Sequence, residues 1–224
     1  MAKDMTLLWA SGSPPCWRIM IVLEEKNLKG YNQKLLSFEK GEHKAKETLE
    51  INPRGQVPAF KHGNNAVNES IAACLYLENQ FKSNGTNLIP QNAQEQALMY
   101  QRTIEILNLQ QKIIDVVTYT RRVPEEERHD SAVKRNKDAL AAELKIWEGY
   151  MQKGGPYMAG KSFSLADAVC FPTIALVFRL GLAQEKYPKL VGYHNLMKER
   201  PSVKASWPPH WLENPKPMDM LKDL

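Results

Sequence analysis

The first residues whose types and spacing suggest binding chemistry lie between Asn52 and Ser70, in the segment NPRGQVPAFKHGNNAVNES. Pro58 has no backbone N–H, which confines it to the start or the edge of a strand. If its peptide bond is cis, we expect the backbone N–H and C=O of Val57 to face a ligand. A helix is predicted directly after this segment, capped by Ser70 or Asn68, and its N-terminus favours a carboxylate. An open backbone edge close to an anion site suits a small peptide with a free carboxylate.

A second group of chemically useful residues lies in the loop SGSPPC, which follows a short apolar strand predicted over Thr6–Ala10. Pro14 and Pro15 fit the first turn of the next helix, where a missing N–H breaks no helical hydrogen bond. Ser11 and Ser13 therefore precede the N-terminus of that helix, where a hydroxyl group can stabilise an anion in the positive field of the helix end. Alternatively, both serines only cap the helix.

The elements that must position these two segments form a β-α-β unit followed by a hairpin and a helix. Apolar residues at helical spacing predict a helix over residues 16–26, and weak alternation predicts a strand over residues 31–37. Such a crossover makes the two strands parallel. Residues 40–49 are polar and are predicted to form a loop or a poor helix. Two apolar runs, residues 57–60 and 66–67, flank turn residues and predict a hairpin.

The second part of the chain is predicted to be helical. A long helix should end near Arg122, and a second should open at Pro124 and run to Lys153. The residues SLAD at 164–167 predict a capping box, in which Asp167 is a helix cap and not an acid catalyst. The proline-rich end is predicted to be coil on the surface.

The order of these elements predicts two domains joined by a linker. Residues 1–83 should form an α/β domain, residues 84–90 a linker, and residues 91–224 an all-α domain. The fold class predicted from the pattern is therefore α/β plus all-α.

Composition excludes several classes of protein. The net charge is +5, but Lys and Arg are spread evenly and no basic tract is interleaved with aromatic residues, so we expect small anionic ligands and no nucleic acid. There is neither an apolar run long enough for a membrane span nor an N-terminal signal, and we expect a soluble cytoplasmic protein. The three cysteines lie in apolar helical patterns without metal-type spacing, so we expect buried free thiols and no metal site.

Together these motifs resemble the cytosolic glutathione transferases, and the match covers essentially the whole chain. SGSPPCWR is similar to the serine loop of the theta, delta, phi and tau classes, and GEHK at residues 41–44 resembles a phi-class segment. NPRGQVP and the pair ES resemble the family's N-terminal domain, and YMAGKSFSLADA its helical domain. Ile71 stands where phi enzymes usually carry arginine. The sequence is thus similar to serine-type enzymes of the theta, delta or phi kind, with the rho class as a further candidate.

The resemblance implies a thioredoxin-like N-terminal domain, an all-helical C-terminal domain, and an enzyme that activates the glutathione thiolate for conjugation to hydrophobic electrophiles in detoxification. Ser13 falls at the position of the catalytic serine, and Ser11 is a rival because the doubled proline could shift the loop. The glutathione-binding residues implied by the resemblance are His43 and Lys44 at the glycyl carboxylate, Gln56, Val57 and Pro58 at the cysteinyl unit, and Glu69 and Ser70 at the γ-glutamyl end.

An apolar pocket for the electrophile is expected between the serine loop and the long helix. Its residues are predicted to be Pro14, Pro15, Leu109, Lys112, Ile113, Val116 and Trp211. The resemblance also implies a homodimer and no cofactor beyond the co-substrate glutathione.

Other functions remain open at this point. Thiol–disulfide or dehydroascorbate chemistry would need a cysteine at the position of Ser13, and Cys16 lies three residues further on. Isomerisation of maleyl-type substrates, peroxide reduction, and a carrier role without catalysis are the further alternatives.

Overall fold

The N-terminal part of the chain forms a four-stranded sheet with helices, in the computed structural model that describes residues 2–224. The strands have the order β2-β1-β3-β4. They are β1 (Met5–Trp9), β2 (Asn32–Leu35), β3 (Ala59–His62) and β4 (Asn65–Ala66), and the helices among them are α1 (Pro14–Glu25), α2 (Lys46–Ile51) and α3 (Ser70–Gln80). β1 pairs with β2 in parallel, as the predicted crossover requires, and with β3 in antiparallel orientation.

Helix α1 is the buried helix of this part of the chain. Its residues from Cys16 to Leu23 are all buried, and α1 packs against α3. A helix that is apolar on all sides needs cover on all sides, which explains why α1 lies in the interior.

Three local expectations in the N-terminal part need refinement or correction. The polar stretch at residues 40–49 forms a 3-10 turn, Glu42–Lys44, followed by α2. The first hairpin strand starts at Ala59, after Val57 and Pro58, because Pro58 cannot donate to a sheet. The prediction that Asn68 or Ser70 caps α3 is wrong, since the N-cap position is Glu69 without a side-chain cap bond. The Asn68 amide instead donates to the Ile51 carbonyl at 2.9 Å.

The second part of the chain is helical, as predicted. Its main helices are α4 (Ala93–Arg122), α5 (Asp130–Lys153), α6 (Leu165–Arg179) and α7 (Pro188–Lys198). The capping box at the start of α6 is confirmed, because the Ser164 side chain and the Asp167 side chain each bond the backbone of the other residue.

The predicted start of the fifth helix at Pro124 is wrong. Pro124 has extended backbone and precedes a short 3-10 turn, Glu125–Glu127, and α5 begins only at Asp130. The Arg128 guanidinium donates to the Thr120 carbonyl at 2.5 Å and to the Val123 carbonyl at 2.9 Å. These bonds tie the turn to the end of α4, so the chain cannot continue directly as a helix.

The expectation of surface coil for the proline-rich end is also wrong. The segment contains α8 (Pro201–Ala205) and α9 (Pro209–Glu213), and a proline occupies the first turn of each helix. Trp211 is buried. The Trp211 ring meets the Trp17 ring edge-on, with the ring centroids 5.6 Å apart. The Trp207 ring also meets the Trp17 ring, with the centroids 5.1 Å apart. Burial of these large aromatic rings explains why the segment is ordered against α1.

The chain divides into two compact units. The first contains the residues up to Pro90 together with Lys198–Pro215, and the second contains Gln91–Met197 and Lys216–Leu224. The sequence-based domain boundaries stay a prediction, and the units differ from them over Lys198–Pro215, which was assigned to the helical domain. The fold class of an α/β part followed by a helical part is confirmed. Among residues 2–224, no helix is both long and apolar enough to cross a membrane.

Candidate active site

The register of the sheet brings the two sequence-predicted loops to one edge. Leu8, near the end of β1, pairs with Ala59, the first residue of β3. Because the two strands are antiparallel, the loop after β1 and the loop before β3 leave the sheet on the same side. The start of α3 is connected to α1 through a side chain, since Arg18 Nη1 of α1 donates to Ser70 Oγ of α3 at 3.2 Å. One side of the first unit thus holds the serine loop, the Val57–Pro58 segment and the start of α3.

Ser13 is the residue before α1 and has extended backbone, with φ −80° and ψ 113°. Its carbonyl accepts the Trp17 N–H at 3.0 Å, and its side chain makes no cap bond to the helix. Burial raises the pKa of the Cys16 thiol to about 11, against the lowering effect of the Ser13 hydroxyl. A thiol of that pKa is a protonated, inert group at neutral pH, which disfavours thiol–disulfide chemistry at Cys16.

Ser11 has a partner that the sequence did not predict. Its Oγ lies 2.5 Å from Nδ1 of His210 in α9. Between the two serines, Gly12 has φ +74°, and a Cβ placed there would come within 2.6 Å of His210 Cε1. The imidazole ring therefore lies directly against the loop backbone. The only feature of the sequence that could have suggested this contact is the position of a histidine beside a tryptophan in the proline-rich end.

The loop before β3 is fixed by Asn52, which is buried. Its amide donates to the Gln56 carbonyl at 2.9 Å, and its Oδ1 accepts the Arg54 N–H at 3.1 Å. The Val57–Pro58 peptide bond is cis. The Val57 side chain packs against a cluster of Leu8, Leu36, Ile51 and Ala59. The Asn52 bonds and the packing of Val57 thus hold the backbone of the loop, while the Gln56 side chain is exposed.

His43 and Lys44 lie in the 3-10 turn before α2. The Lys44 ammonium donates to the Arg54 carbonyl at 3.0 Å, and its stem covers Gly55. The His43 ring meets Phe38 edge-on at 5.1 Å. Within residues 2–224, the Nδ1 atom of His43 is buried and has no hydrogen-bond partner. A buried imidazole nitrogen without a partner is costly, which makes it a natural position for a ligand or water contact.

The start of α3 combines an exposed carboxylate with a buried hydroxyl. Glu69 is exposed and Ser70 is buried. The Arg18 side chain that donates to Ser70 is itself only 1% exposed, so a positive charge lies behind the start of the helix. An arginine among the apolar residues of α1 was the available sequence signal for this role.

The residues predicted for the electrophile pocket are distributed over both units. Leu109 and Ile113 of α4 are buried, and Trp211 is buried against Trp17. Pro14, Pro15, Lys112 and Val116 are half-buried. That these residues share one pocket stays a prediction. In the part of the chain that the structure describes, no cluster of three or more His, Cys, Asp or Glu residues could hold a metal ion.

Comparison with known proteins identifies the class to which this fold and this serine loop belong. Residues 12–80 match the family model of the glutathione S-transferase N-terminal domain, and residues 109–201 match that of the C-terminal domain. A curated protein of Pleuronectes platessa, glutathione S-transferase A, is 66% identical over 225 residues, covering 100% of both chains.

Two solved structures extend the comparison. The crystal structure of a glutathione S-transferase from the Antarctic clam Laternula elliptica is 38% identical, with a TM-score of 0.87 over 98% of this chain and 99% of that one. A glutathione transferase from Phanerochaete chrysosporium, solved in complex with oxidised glutathione, is 26% identical, with a TM-score of 0.78 over 92% and 95% of the chains. The fold is thus a thioredoxin-like domain with a helical domain. The chain belongs to the glutathione S-transferase family, and it is an enzyme whose general reaction joins glutathione to electrophiles in detoxification.

Proposed function

We propose that Ser13 activates the glutathione thiol by donating its hydroxyl proton to the sulfur. The position of Ser13 before the first turn of α1 supports this role, because the helix end favours a negative charge there. The neutral Cys16 sulfur beside it is a weak acceptor, so the Ser13 proton stays available for a stronger acceptor. Ser11 remains the alternative, with His210 as its partner.

Glutathione is proposed to bind across the three segments at this side of the first unit. The backbone of Val57, beside Gln56 and Pro58, would hold the cysteinyl unit. Glu69 and Ser70 would bind the γ-glutamyl amine and carboxylate, with the positive charge of Arg18 behind Ser70. His43 and Lys44 would bind the glycyl carboxylate, supported by the buried, partnerless Nδ1 of His43 among residues 2–224.

A lowered thiol pKa alone gives a small rate gain. A free thiol with a pKa of about 8.5 is about 3% ionised at neutral pH, and lowering the pKa by about two units raises the thiolate fraction about 25-fold. The intrinsic nucleophilicity then falls about 8-fold at a Brønsted slope of about 0.45, so the net gain is about threefold. Positioning of the thiolate against the electrophile must therefore supply most of the acceleration. A rigid peptide clamp beside an apolar pocket is the arrangement that achieves this.

We further propose that the protein works as a homodimer in the cytoplasm, without a cofactor beyond the co-substrate glutathione. The family resemblance supports these statements.

The test is a pH titration of the thiolate absorbance of bound glutathione in the wild-type protein and in Ser13→Ala, Ser11→Ala and Ser83→Ala. Ser83 lies in an exposed loop and serves as the matched control. All four proteins should bind glutathione. Ser13→Ala should raise the thiol pKa of bound glutathione to near its free value. Ser11→Ala should raise this pKa by clearly less than half as much, and Ser83→Ala should leave it at the wild-type value.

Two results would contradict the proposal. If Ser11→Ala produces the full shift, the thiol-activating residue is Ser11. If the wild-type protein binds glutathione without lowering its thiol pKa, the serine mechanism is wrong and a carrier role gains support.

A further inference from the structure

The hydrogen bond between Ser11 and His210 connects the serine loop to a segment almost two hundred residues away in the sequence. The Ser11 Oγ and the His210 Nδ1 lie 2.5 Å apart, which is short for a hydrogen bond that involves nitrogen. The ring also lies against Gly12, whose missing side chain leaves the space that the ring occupies. His210 therefore contacts two consecutive residues of the loop, one through a polar bond and one through close packing.

Several interactions hold His210 at this position. The next residue, Trp211, is anchored edge-on against Trp17 of α1, with the ring planes at 90°. Trp17 Nε1 donates to Ser206 Oγ at 2.9 Å, between α8 and α9. α9 is thus attached to the same helix whose N-terminus bears Ser13. Although His210 is itself exposed, its backbone is placed by buried aromatic contacts.

External support matters most for the part of the serine loop before Ser13, whose own ties are weak, whereas the Ser13 carbonyl accepts the Trp17 N–H at 3.0 Å. The Ser13 N–H bonds the Ala10 carbonyl at 3.3 Å, beyond the usual range for such bonds. Gly12 lacks the side chain that would restrict its backbone. A loop of this kind can shift by a fraction of an ångström at little cost, and a misplacement of about 1 Å at a catalytic group can cost about 100-fold in rate.

We propose that His210 is a positioning residue for thiol activation. By bonding Ser11 and covering Gly12, it fixes the loop that places the Ser13 hydroxyl at the start of α1. The inference rests on the proposed role of Ser13 and adds the C-terminal segment to the machinery of the site.

The experiment measures the thiol pKa of bound glutathione by thiolate absorbance in wild type, Ser11→Ala, His210→Ala and the double variant Ser11→Ala/His210→Ala. Each single variant should raise the thiol pKa by about half a unit, which lowers the thiolate fraction about threefold below the pKa. The double variant should show the same shift of the thiol pKa as each single variant, because both substitutions remove the same hydrogen bond between Ser11 and His210. The affinity for glutathione should stay within about twofold, since the peptide contacts lie on other segments. Glu213→Ala, an exposed change on the same short helix, should leave the pKa unchanged.

Two conservative variants separate the hydrogen bond from general loosening of α9. The side-chain amide of asparagine reaches the position of Nδ1, whereas that of glutamine reaches the position of Nε2. His210→Asn should therefore retain the wild-type thiol pKa, and His210→Gln should behave like His210→Ala. This comparison holds even if His210→Ala destabilises the segment, because the two amides are equally polar.

The proposal is overturned if His210→Ala leaves the thiol pKa at the wild-type value while Ser13→Ala raises it. It is also overturned if Ser11→Ala raises the pKa more than His210→Ala does, because Ser11 would then act on the sulfur directly. In the first case the proposed role of Ser13 survives, whereas in the second case Ser11 replaces Ser13 as the thiol-activating residue. A wild-type protein that does not lower the thiol pKa refutes the proposed function first, and the role of His210 with it.

Discussion

Arg200 and Glu25 form a bidentate ion pair between the residue before α8 and the last residue of α1. The Arg200 Nε donates to Glu25 Oε1 at 2.6 Å, and Nη2 donates to Oε2 at 2.8 Å. Burial acts to raise the pKa of Glu25, but its polar neighbours, above all the Arg200 guanidinium, outweigh it and hold the pKa below its ordinary value. The pair, together with the rings around Trp17, attaches the C-terminal segment to α1.

We expect Arg200→Ala to lower the free energy of unfolding by about 3 kcal/mol, because it leaves the buried Glu25 carboxylate without its main partner. Urea unfolding followed by tryptophan fluorescence would report on the segment directly, since Trp207 and Trp211 lie in it. Lys204→Ala is the matched control, because it removes an exposed pair with Glu199 in the same region, and it should have no measurable effect.

The stabilisation by this pair should depend on pH in a defined direction. The folded pKa of Glu25 lies below its ordinary value of 4.5. The contribution is therefore fully present at neutral pH and is lost as the pH falls from about 4.5 through the folded pKa. A difference between wild type and Arg200→Ala that stays constant down to pH 3 would contradict this assignment.

Gly12→Ala should reveal the contact between the serine loop and His210. Gly12 has φ +74° with the His210 ring in the way of a Cβ, whereas Gly30 has φ +78° with no atom within 4 Å. Both substitutions cost about 1 kcal/mol of backbone strain. Gly12→Ala should in addition displace His210 from Ser11, raising the total loss in the free energy of unfolding to about 2 kcal/mol.

Thermal or urea unfolding of the two alanine variants measures this difference. Only Gly12→Ala should also raise the thiol pKa of bound glutathione. Equal losses of stability in both variants, with an unchanged thiol pKa, would show that the ring moves away without consequence.

Asp167 should make the stability of the protein fall between about pH 4 and pH 6. Its carboxyl group is fully buried, and burial raises its pKa from 3.8 to about 6, although four donors oppose the shift. These donors are the backbone N–H groups of Met158 and Ser164 and the hydroxyl groups of Ser164 and Tyr193. In this pH range the folded protein binds a proton that the unfolded chain has released, so stability declines as the pH rises through the window.

The comparison is between wild type and Asp167→Asn, which cannot titrate. The difference in free energy of unfolding, wild type minus variant, should fall by about 2 kcal/mol from pH 4 to pH 6, because most of the energy of a shift of about two pKa units, about 3 kcal/mol in all, is lost in this range. A flat difference over this range would mean that the four donors keep the carboxylate ionised in the folded state.

Part of the site could be predicted because its signals are local. Ser13 follows a strand and precedes two prolines, Pro58 cannot join a sheet, and Ser164 stands three residues before Asp167. In each case the backbone hydrogen-bonding needs of neighbouring residues decide the structure, and the sequence contains all the participants. At the start of α3 the bond partner of Ser70 is Arg18, a side chain from a distant segment that no local signal could indicate. At Pro124 the error was local, because Arg128 bonds back to the end of α4, an interaction that helical periodicity does not show.

The sequence alone determined the succession of the main helices and strands before the proline-rich end, the serine loop before α1 and the backbone loop before β3, since turn chemistry and apolar periodicity act over a few residues. Only the tertiary structure decided that Lys198–Pro215 belongs with the first unit and that His210 meets Ser11. The burial of Trp211 against Trp17 brings that segment back to α1. Such a contact depends on the shape of the whole folded unit. The hydrophobic effect is non-directional, so the local sequence does not predict which distant surface covers a given ring.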